Sequence, residues 1–78
     1  MNPKLKNDTP VVVLRRAQVE KILGLSRSGI YERMNELSEW YDPLFPRPIR
    51  YGYSRSVYWI EAEVRDWLDA QVAASRNR

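Results

Sequence analysis

Apolar side chains recur at helical spacing in three segments of the chain. In the first segment, Val19, Ile22 and Leu23 fall at i, i+3 and i+4, with polar residues between them. This spacing gives one apolar stripe and predicts a helix over Arg16–Leu23. Gly24 follows at once, at the position where a residue in the left-handed conformation commonly ends a helix.

The second segment predicts a helix over residues 27–37, where Ile30, Met34 and Leu37 recur at i, i+4 and i+7. Ser26 precedes this segment, and serine is one of the preferred N-cap residues. Because only a tight turn separates them, the first two helices form a helix-turn-helix pattern.

The third segment predicts a helix over residues 61–74, because apolar residues recur there at i, i+3, i+4 and i+8. These residues are Val64, Trp67, Leu68 and Val72. Glu61 and Glu63 lie in the first turn, where the helix dipole favours acidic side chains. Ile60 is a poor capping residue, so we expect no side-chain N-cap for this helix.

Two short β-prone runs, residues 49–51 and 57–59, flank a glycine-containing loop and predict a β-hairpin. A β-branched run at residues 11–14 is expected to form a brief strand or an extended segment packed on the core. Residues 38–48 hold three prolines, so no regular helix is expected beyond Asp42. The residues that could anchor this connector between helix and hairpin are Trp40, Tyr41, Leu44 and Phe45.

The length of 78 residues allows one small domain, whose stability is marginal. Cysteine and histidine are both absent, so disulfides and the usual zinc ligands cannot stabilise it. A compact apolar core must do so instead. The candidate core residues are Val19, Ile22, Leu23, Leu25, Ile30, Met34, Trp59, Val64, Trp67 and Leu68.

We divide the chain into an N-terminal arm at residues 1–10, one domain at residues 11–74 and a frayed C-terminus at residues 75–78. The arm is polar, and its Lys4 and Lys6 offer weak electrostatic contacts. No apolar run approaches the roughly 20 residues that span a bilayer, and the N-terminus lacks the apolar core of a signal peptide. We therefore expect a soluble, cytoplasmic protein with no membrane partner.

The residue types that carry most enzymatic chemistry are missing. Besides the absence of histidine and cysteine, the chain has no glycine-rich phosphate loop. The neighbouring carboxylates Glu61 and Glu63 are explained by the helix dipole. We expect no catalytic residues, no cofactor and no bound metal.

Charge is unevenly distributed along the chain, whose formal net charge is +3. Residues 43–60 carry three arginines and no acid, whereas residues 61–69 carry four acids and one arginine. A positive and a negative face would orient a small domain on a polyanion.

Two helices, a hairpin and a third helix follow the order of a winged helix-turn-helix, a mainly α fold with a small β-hairpin. In this fold the second helix enters the major groove of DNA, and the hairpin contacts the backbone or the minor groove. Arg27 and Ser28 stand near the N-terminus of that helix, where base edges come within reach. Ser26 and the first amide groups could meet a phosphate. Tyr31 could reach a phosphate or a base, or could pack under the connector.

Further basic residues are expected at the DNA backbone. Arg33 lies at the flank of the second helix. Ser54 and Arg55 lie in the predicted wing and are candidates for DNA contact, with Arg55 suited to a phosphate or the minor groove. Arg47 and Arg50 either contact phosphates or only solvate the hairpin. Trp40 and Tyr41 in the connector either anchor it to the core or bind a partner protein.

Several motifs from Leu14 to about Val72 form a recognisable combination. They are Leu14-Arg15-Arg16, Val19, Gly24-Leu25-Ser26-Arg27-Ser28, Ile30-Tyr31, Phe45-Pro46-Arg47-Pro48-Ile49, Ser54-Arg55-Ser56-Val57, Trp59, Val64 and Trp67-Leu68. The combination resembles the AlpA family of small prophage and genomic-island regulators, which are related to excisionases and more distantly to the MerR DNA-binding domain.

The resemblance implies a winged helix-turn-helix that binds double-stranded DNA near attachment sites or promoters of a bacterial mobile element. It implies either a recombination directionality factor, which bends attachment-site DNA so that an integrase of the tyrosine recombinase class excises the element, or a transcriptional regulator, or both. Ser26, Arg27, Ser28 and Tyr31 fall in its recognition-helix motif, and Arg55 falls in its wing. We expect a monomer that binds adjacent sites cooperatively, because one small module reads few base pairs.

Two features depart from the family pattern. The segment at residues 35–44 is longer than usual, which predicts an extended second helix or an added helical turn. Gly29 stands where threonine is common. Two alternatives remain: a purely transcriptional regulator of prophage genes, and a protein-interaction adaptor without DNA binding that uses the connector and the acidic last helix.

Overall fold

The computed structural model describes residues 10–77, which form three helices and two short strands. In chain order these are β1 (Val13–Leu14), α1 (Arg16–Leu23), α2 (Arg27–Met34), β2 (Trp59–Ile60) and α3 (Glu61–Arg76). The predicted class, a mainly α winged helix-turn-helix, is confirmed. The predicted N-terminal arm lies, apart from Pro10, outside the described residues.

The turn between α1 and α2 forms as its sequence predicts. Gly24 adopts the left-handed conformation, with φ of 66°, and its N–H donates to the Glu20 carbonyl over 2.8 Å. The Ser26 hydroxyl oxygen accepts from the Gly29 N–H at 3.1 Å and caps α2. Each end of this turn thereby satisfies backbone groups that a helix terminus leaves unpaired.

Helix α2 ends at Met34, so the predicted end at residue 37 is wrong. Asn35 leaves the helical conformation, with ψ of 113°, and its side-chain carbonyl accepts from the Leu37 N–H at 3.0 Å. This local bond competes with continuation of the helix. Leu37 is 94% exposed and does not belong to the buried stripe. The connector therefore begins at Asn35, and its turns lead back to α2, where the Asp42 N–H donates to the Arg33 carbonyl at 2.9 Å.

Strands β1 and β2 pair antiparallel, with Val13 opposite Ile60 and Leu14 opposite Trp59. The run at residues 11–14 was expected to be a strand or an extended segment, and the pairing shows that it is a strand. Its partner is β2, far along the chain, so the two ends of the domain are joined by this small sheet.

The predicted hairpin is reduced to one antiparallel bridge, between Ile49 and Tyr58, whose two backbone hydrogen bonds measure 2.6 and 2.8 Å. Trp59 pairs with β1 instead of with the opposite side of the hairpin. An isolated two-stranded ribbon is marginal in water, which accounts for the short ladder. The Tyr51 ring stacks on Tyr58 at 4.8 Å, and Gly52 turns the chain with φ of 65°. We call residues 49–58 the wing.

Helix α3 extends to Arg76, two residues past its predicted end. As expected, Ile60 provides no side-chain cap. The Glu61 N–H donates instead to the Val12 carbonyl at 2.8 Å, so the residue that precedes β1 supplies the acceptor. Among residues 10–77, no helix combines the length and the apolar character that crossing a bilayer requires.

The core lies between the small sheet, the three helices and the connector. Its buried residues are Leu14, Val19, Ile30, Phe45, Trp59 and Val64. Of the other predicted core residues, Ile22, Leu23, Leu25, Met34 and Trp67 are partly buried against it. Phe45 is confirmed as the connector's anchor, since its ring meets Trp67 edge-on at 4.9 Å. Trp40 and Leu44 are exposed by 58% and 82%, so their prediction as anchors is wrong.

Candidate nucleic-acid interface

A cleft of about 460 Å³ opens where the start of α1, the exposed side of α2 and the wing meet. It is lined by Arg15, Arg16, Ala17, Tyr31, Arg50, Arg55, Ser56 and Val57. Four of these residues are arginines, and none of the described residues that line it is acidic. Arginine stays charged at any physiological pH and matches phosphate oxygens with its planar set of donors. We call this site the basic cleft.

Helix α2 presents the predicted recognition residues to solvent beside the basic cleft. Ile30 is fully buried and fixes the rotation of the helix. Arg27 and Ser28 are exposed, and the Arg27 guanidinium lies over the Tyr31 ring at 5.9 Å from its centroid. Tyr31 is 41% exposed and lines the cleft, so it does not pack under the connector.

The wing brings Arg50 and Arg55, two of the predicted DNA-binding residues, to the basic cleft. The Ser54 hydroxyl oxygen accepts from the Ser56 N–H at 3.0 Å and shapes the loop. Tyr53 is fully exposed at the tip beside the turn. The sequence did not single out Tyr53, although an aromatic residue next to a turn glycine in a basic loop is a usable signal.

Arg15 belongs to the basic cleft but was not predicted as a site residue. Its guanidinium donates to the Ser56 hydroxyl at 3.4 Å and lies 5.1 Å from the Tyr58 ring centroid. Cation–π contacts of this kind contribute about 0.5–1 kcal/mol at exposed sites. Arg15 therefore ties the wing to the start of α1.

Arg16, the second unpredicted cleft arginine, is bonded through Nε to the Glu20 carboxylate at 2.9 Å. That bond and, to a lesser extent, the nearby Tyr31 hydroxyl raise the pKa of the Arg16 guanidinium. The sequence carried a signal for both arginines. Cations at the start of a helix are unfavourable because they oppose its dipole, and α1 has no acid in its first turn that would offset them.

Two predicted arginines lie away from the basic cleft. Arg33 is half-buried and donates to the Gly29 carbonyl at 2.9 Å on another side of α2. Arg47 donates to the Tyr41 hydroxyl at 3.3 Å, and its guanidinium lies 6.0 Å from that ring centroid. Both remain candidates for backbone contact from positions outside the cleft.

Two of the four acids of α3, Glu63 and Asp66, line a separate groove of about 340 Å³, which shares no residue with the basic cleft. It is lined by Leu44, Pro46, Glu63, Asp66, Trp67, Ala70 and Gln71. The Asp42 carboxylate accepts from the Trp67 indole N–H at 2.9 Å and from the Leu44 N–H at 2.8 Å, which fixes the connector on α3. We call this site the acidic groove.

Residues 12–72 match the family model of the prophage CP4-57 regulatory protein (AlpA). Over 64 residues the chain is 39% identical to the DNA-binding transcriptional activator AlpA of Escherichia coli strain K12, an alignment that covers 82% of this chain and 90% of that protein. No solved structure matches the chain significantly. The resemblance stated from the sequence is thereby confirmed, and the chain belongs to the AlpA family of prophage regulatory proteins.

Proposed function

We propose that the chain is a sequence-specific DNA-binding regulator of a bacterial mobile genetic element. The observation that carries this proposal is the convergence of four arginines on the basic cleft, beside the exposed N-terminal half of α2. Such a surface attracts the phosphate backbone whatever the sequence, and an adjacent helix can read bases. The E. coli relative is by name a DNA-binding transcriptional activator, which supports a role in transcription for this chain.

In the proposed complex α2 lies in the major groove, which is about 12 Å wide and admits a helix. Arg27 and Ser28 then point to base edges, and Ser26 with the first amide groups meets a phosphate. Arg50 and Arg55 contact the backbone next to the groove, or the minor groove beside it. Bidentate binding of arginine to guanine is the commonest specific contact, so Arg27 is the residue we expect to dominate sequence preference.

We further propose that the protein acts as a recombination directionality factor. Its neighbouring copies would bind adjacent sites cooperatively and bend attachment-site DNA, so that an integrase excises the element. The support is the family, whose description is that of a prophage regulatory protein. Bending costs several kcal/mol, which the contacts of several bound copies would offset.

Selection from a randomised pool of duplexes tests the DNA-binding proposal without knowledge of the target. We expect enrichment of one motif and a retarded complex whose affinity falls as salt rises. A pool that stays random, together with no salt-sensitive complex, would overturn the proposal. For the recombination role, deletion of the gene should abolish excision of the element that carries it. An unchanged excision frequency would overturn this role and leave transcriptional control as the remaining one.

The acidic groove favours one alternative, a protein-interaction adaptor that does not bind DNA. Its mostly apolar lining, which includes Glu63 and Asp66, resembles a surface for a basic polypeptide more than one for DNA. Replacement of the arginines of the basic cleft distinguishes the two functions. An adaptor would retain its activity, whereas a DNA-binding regulator would lose it.

A further inference from the structure

The connector places a large aromatic side chain at the edge of α2. Trp40 is 58% exposed and lines a shallow depression of about 260 Å³ together with Ser26, Ser28, Gly29, Glu32 and Arg33. All five neighbours belong to α2 or to its N-cap. An indole has a broad apolar face and one N–H donor, so exposed tryptophan is well suited to contacts that are half apolar and half polar.

The depression lies on the opposite flank of α2 from the basic cleft. Residues of a helix advance by about 100° each, so Arg27 and Tyr31 share one flank, and Gly29 and Arg33 share another, about 200° away. Ile30 lies between the flanks on the buried side. The exposed ridge between them, on the other side, carries Ser28.

Hydrogen bonds fix the backbone that carries this side chain, while the indole stays exposed. The backbone N–H of Trp40 donates to the Ser38 hydroxyl oxygen at 3.0 Å, and that hydroxyl donates to the Glu32 carboxylate at 3.3 Å. Two residues further along the connector, the backbone N–H of Asp42 donates to the Arg33 carbonyl at 2.9 Å. A Cβ at Gly29 would lie in ordinary van der Waals contact, 3.4 Å from the Ser26 hydroxyl oxygen.

A helix in the major groove has one sugar–phosphate backbone on each flank. The basic cleft accounts for one of them. We propose that Trp40, together with Ser26, contacts the second backbone: the indole N–H donates to a phosphate, and the ring packs on deoxyribose. This inference rests on the proposed DNA binding, and it gives the longer connector a role that an extended α2 would not supply.

The charge of this flank sets it apart from the basic cleft. Glu32 and Arg33 offset one another, so the contact depends on a neutral donor and on apolar packing. Counterion release follows the number of cations that meet phosphates. Loss of Trp40 should therefore weaken DNA binding at every salt concentration by the same factor, whereas loss of a cleft arginine should flatten the salt dependence.

Tryptophan fluorescence tests the inference in the full-length protein. Trp59 is fully buried and Trp67 is half-buried, so Trp40 is the most exposed of the three indoles. A duplex with the selected motif should quench and blue-shift the emission of the unaltered protein. Trp40→Phe should bind the same duplex with little spectral change.

The affinity of Trp40→Ala for this duplex should fall roughly 2- to 10-fold, the effect of about one net hydrogen bond. Leu37→Ala is the matched control, because Leu37 is a 94% exposed connector residue that lines no part of the depression. Both variants should keep the thermal unfolding midpoint of the unaltered protein.

Unchanged affinity and unchanged emission on binding DNA would overturn the contact at Trp40 and leave the proposed function standing. Failure of the unaltered protein to bind any duplex would overturn both.

Discussion

Replacing Arg55 with glutamine removes one guanidinium from the basic cleft and keeps a polar side chain. Arg55 is exposed, and within residues 10–77 it takes part in no ion pair, so it is free to meet a phosphate. Each phosphate contact contributes about 0.9 to the slope of log K against log salt concentration on B-DNA. We therefore expect Arg55→Gln to reduce the magnitude of this slope by about 0.9.

The matched control is Arg65→Gln, which changes the net charge by the same amount. Arg65 lies on α3, outside the basic cleft, and bonds to the Glu61 carboxylate at 3.2 Å. If only overall charge mattered, the two variants would bind DNA alike. If the cleft holds the backbone, Arg65→Gln should keep the slope of the unaltered protein.

Fluorescence anisotropy with a labelled duplex of mixed sequence provides the assay, since this effect does not require the target site. Between about 50 and 200 mM salt, one contact fewer makes the affinity fall roughly 3.5-fold less than it does for the unaltered protein. Equal slopes for Arg55→Gln and Arg65→Gln would refute the assignment of the wing to the DNA backbone.

Three further predictions follow from single contacts. Arg27→Ala should weaken binding to the selected motif by about 1–3 kcal/mol and spare a scrambled duplex, and equal losses on both would contradict base contact. Glu20→Gln should remove the negatively charged partner of Arg16 and steepen the salt slope by up to about 0.9, so an unchanged slope would mean that Arg16 does not reach a phosphate. In urea denaturation, Phe45→Ala should lower the free energy of unfolding by about 3–5 kcal/mol. Leu44→Ala, at the neighbouring residue that is 82% exposed, should change the free energy of unfolding by no more than about 0.5 kcal/mol. Similar losses for the two variants would contradict the placement of Phe45 in the core.

The features that could be predicted from the sequence are those set by neighbours along the chain. Helix α1 has the predicted bounds, and Gly24 and Ser26 form the predicted turn. In these cases the backbone groups are satisfied within a few residues, so local patterns suffice. The end of α2 was also a local matter, because Asn35 can close a turn on its own side chain, but periodicity alone pointed past it.

The features that were missed depend on contacts between distant segments. The cap of α3 comes from the Val12 carbonyl, and the partner of β2 is β1. Arg15 reaches the cleft only because that sheet brings the start of α1 beside the wing, where the Arg15 guanidinium lies over the Tyr58 ring. The wing and the recognition helix could therefore be predicted. The two cations at the start of α1 were visible in the sequence, but no spacing along the chain reports that they approach the wing.

An NMR titration of the labelled protein with the selected duplex tests the central claim most directly. Amide shifts should change at Arg27 and Ser28 in α2 and at Arg55 in the wing, while Asp66 and Asp69 on α3 stay unchanged. Shift changes concentrated on α3, with no change at the residues of the basic cleft, would contradict the account.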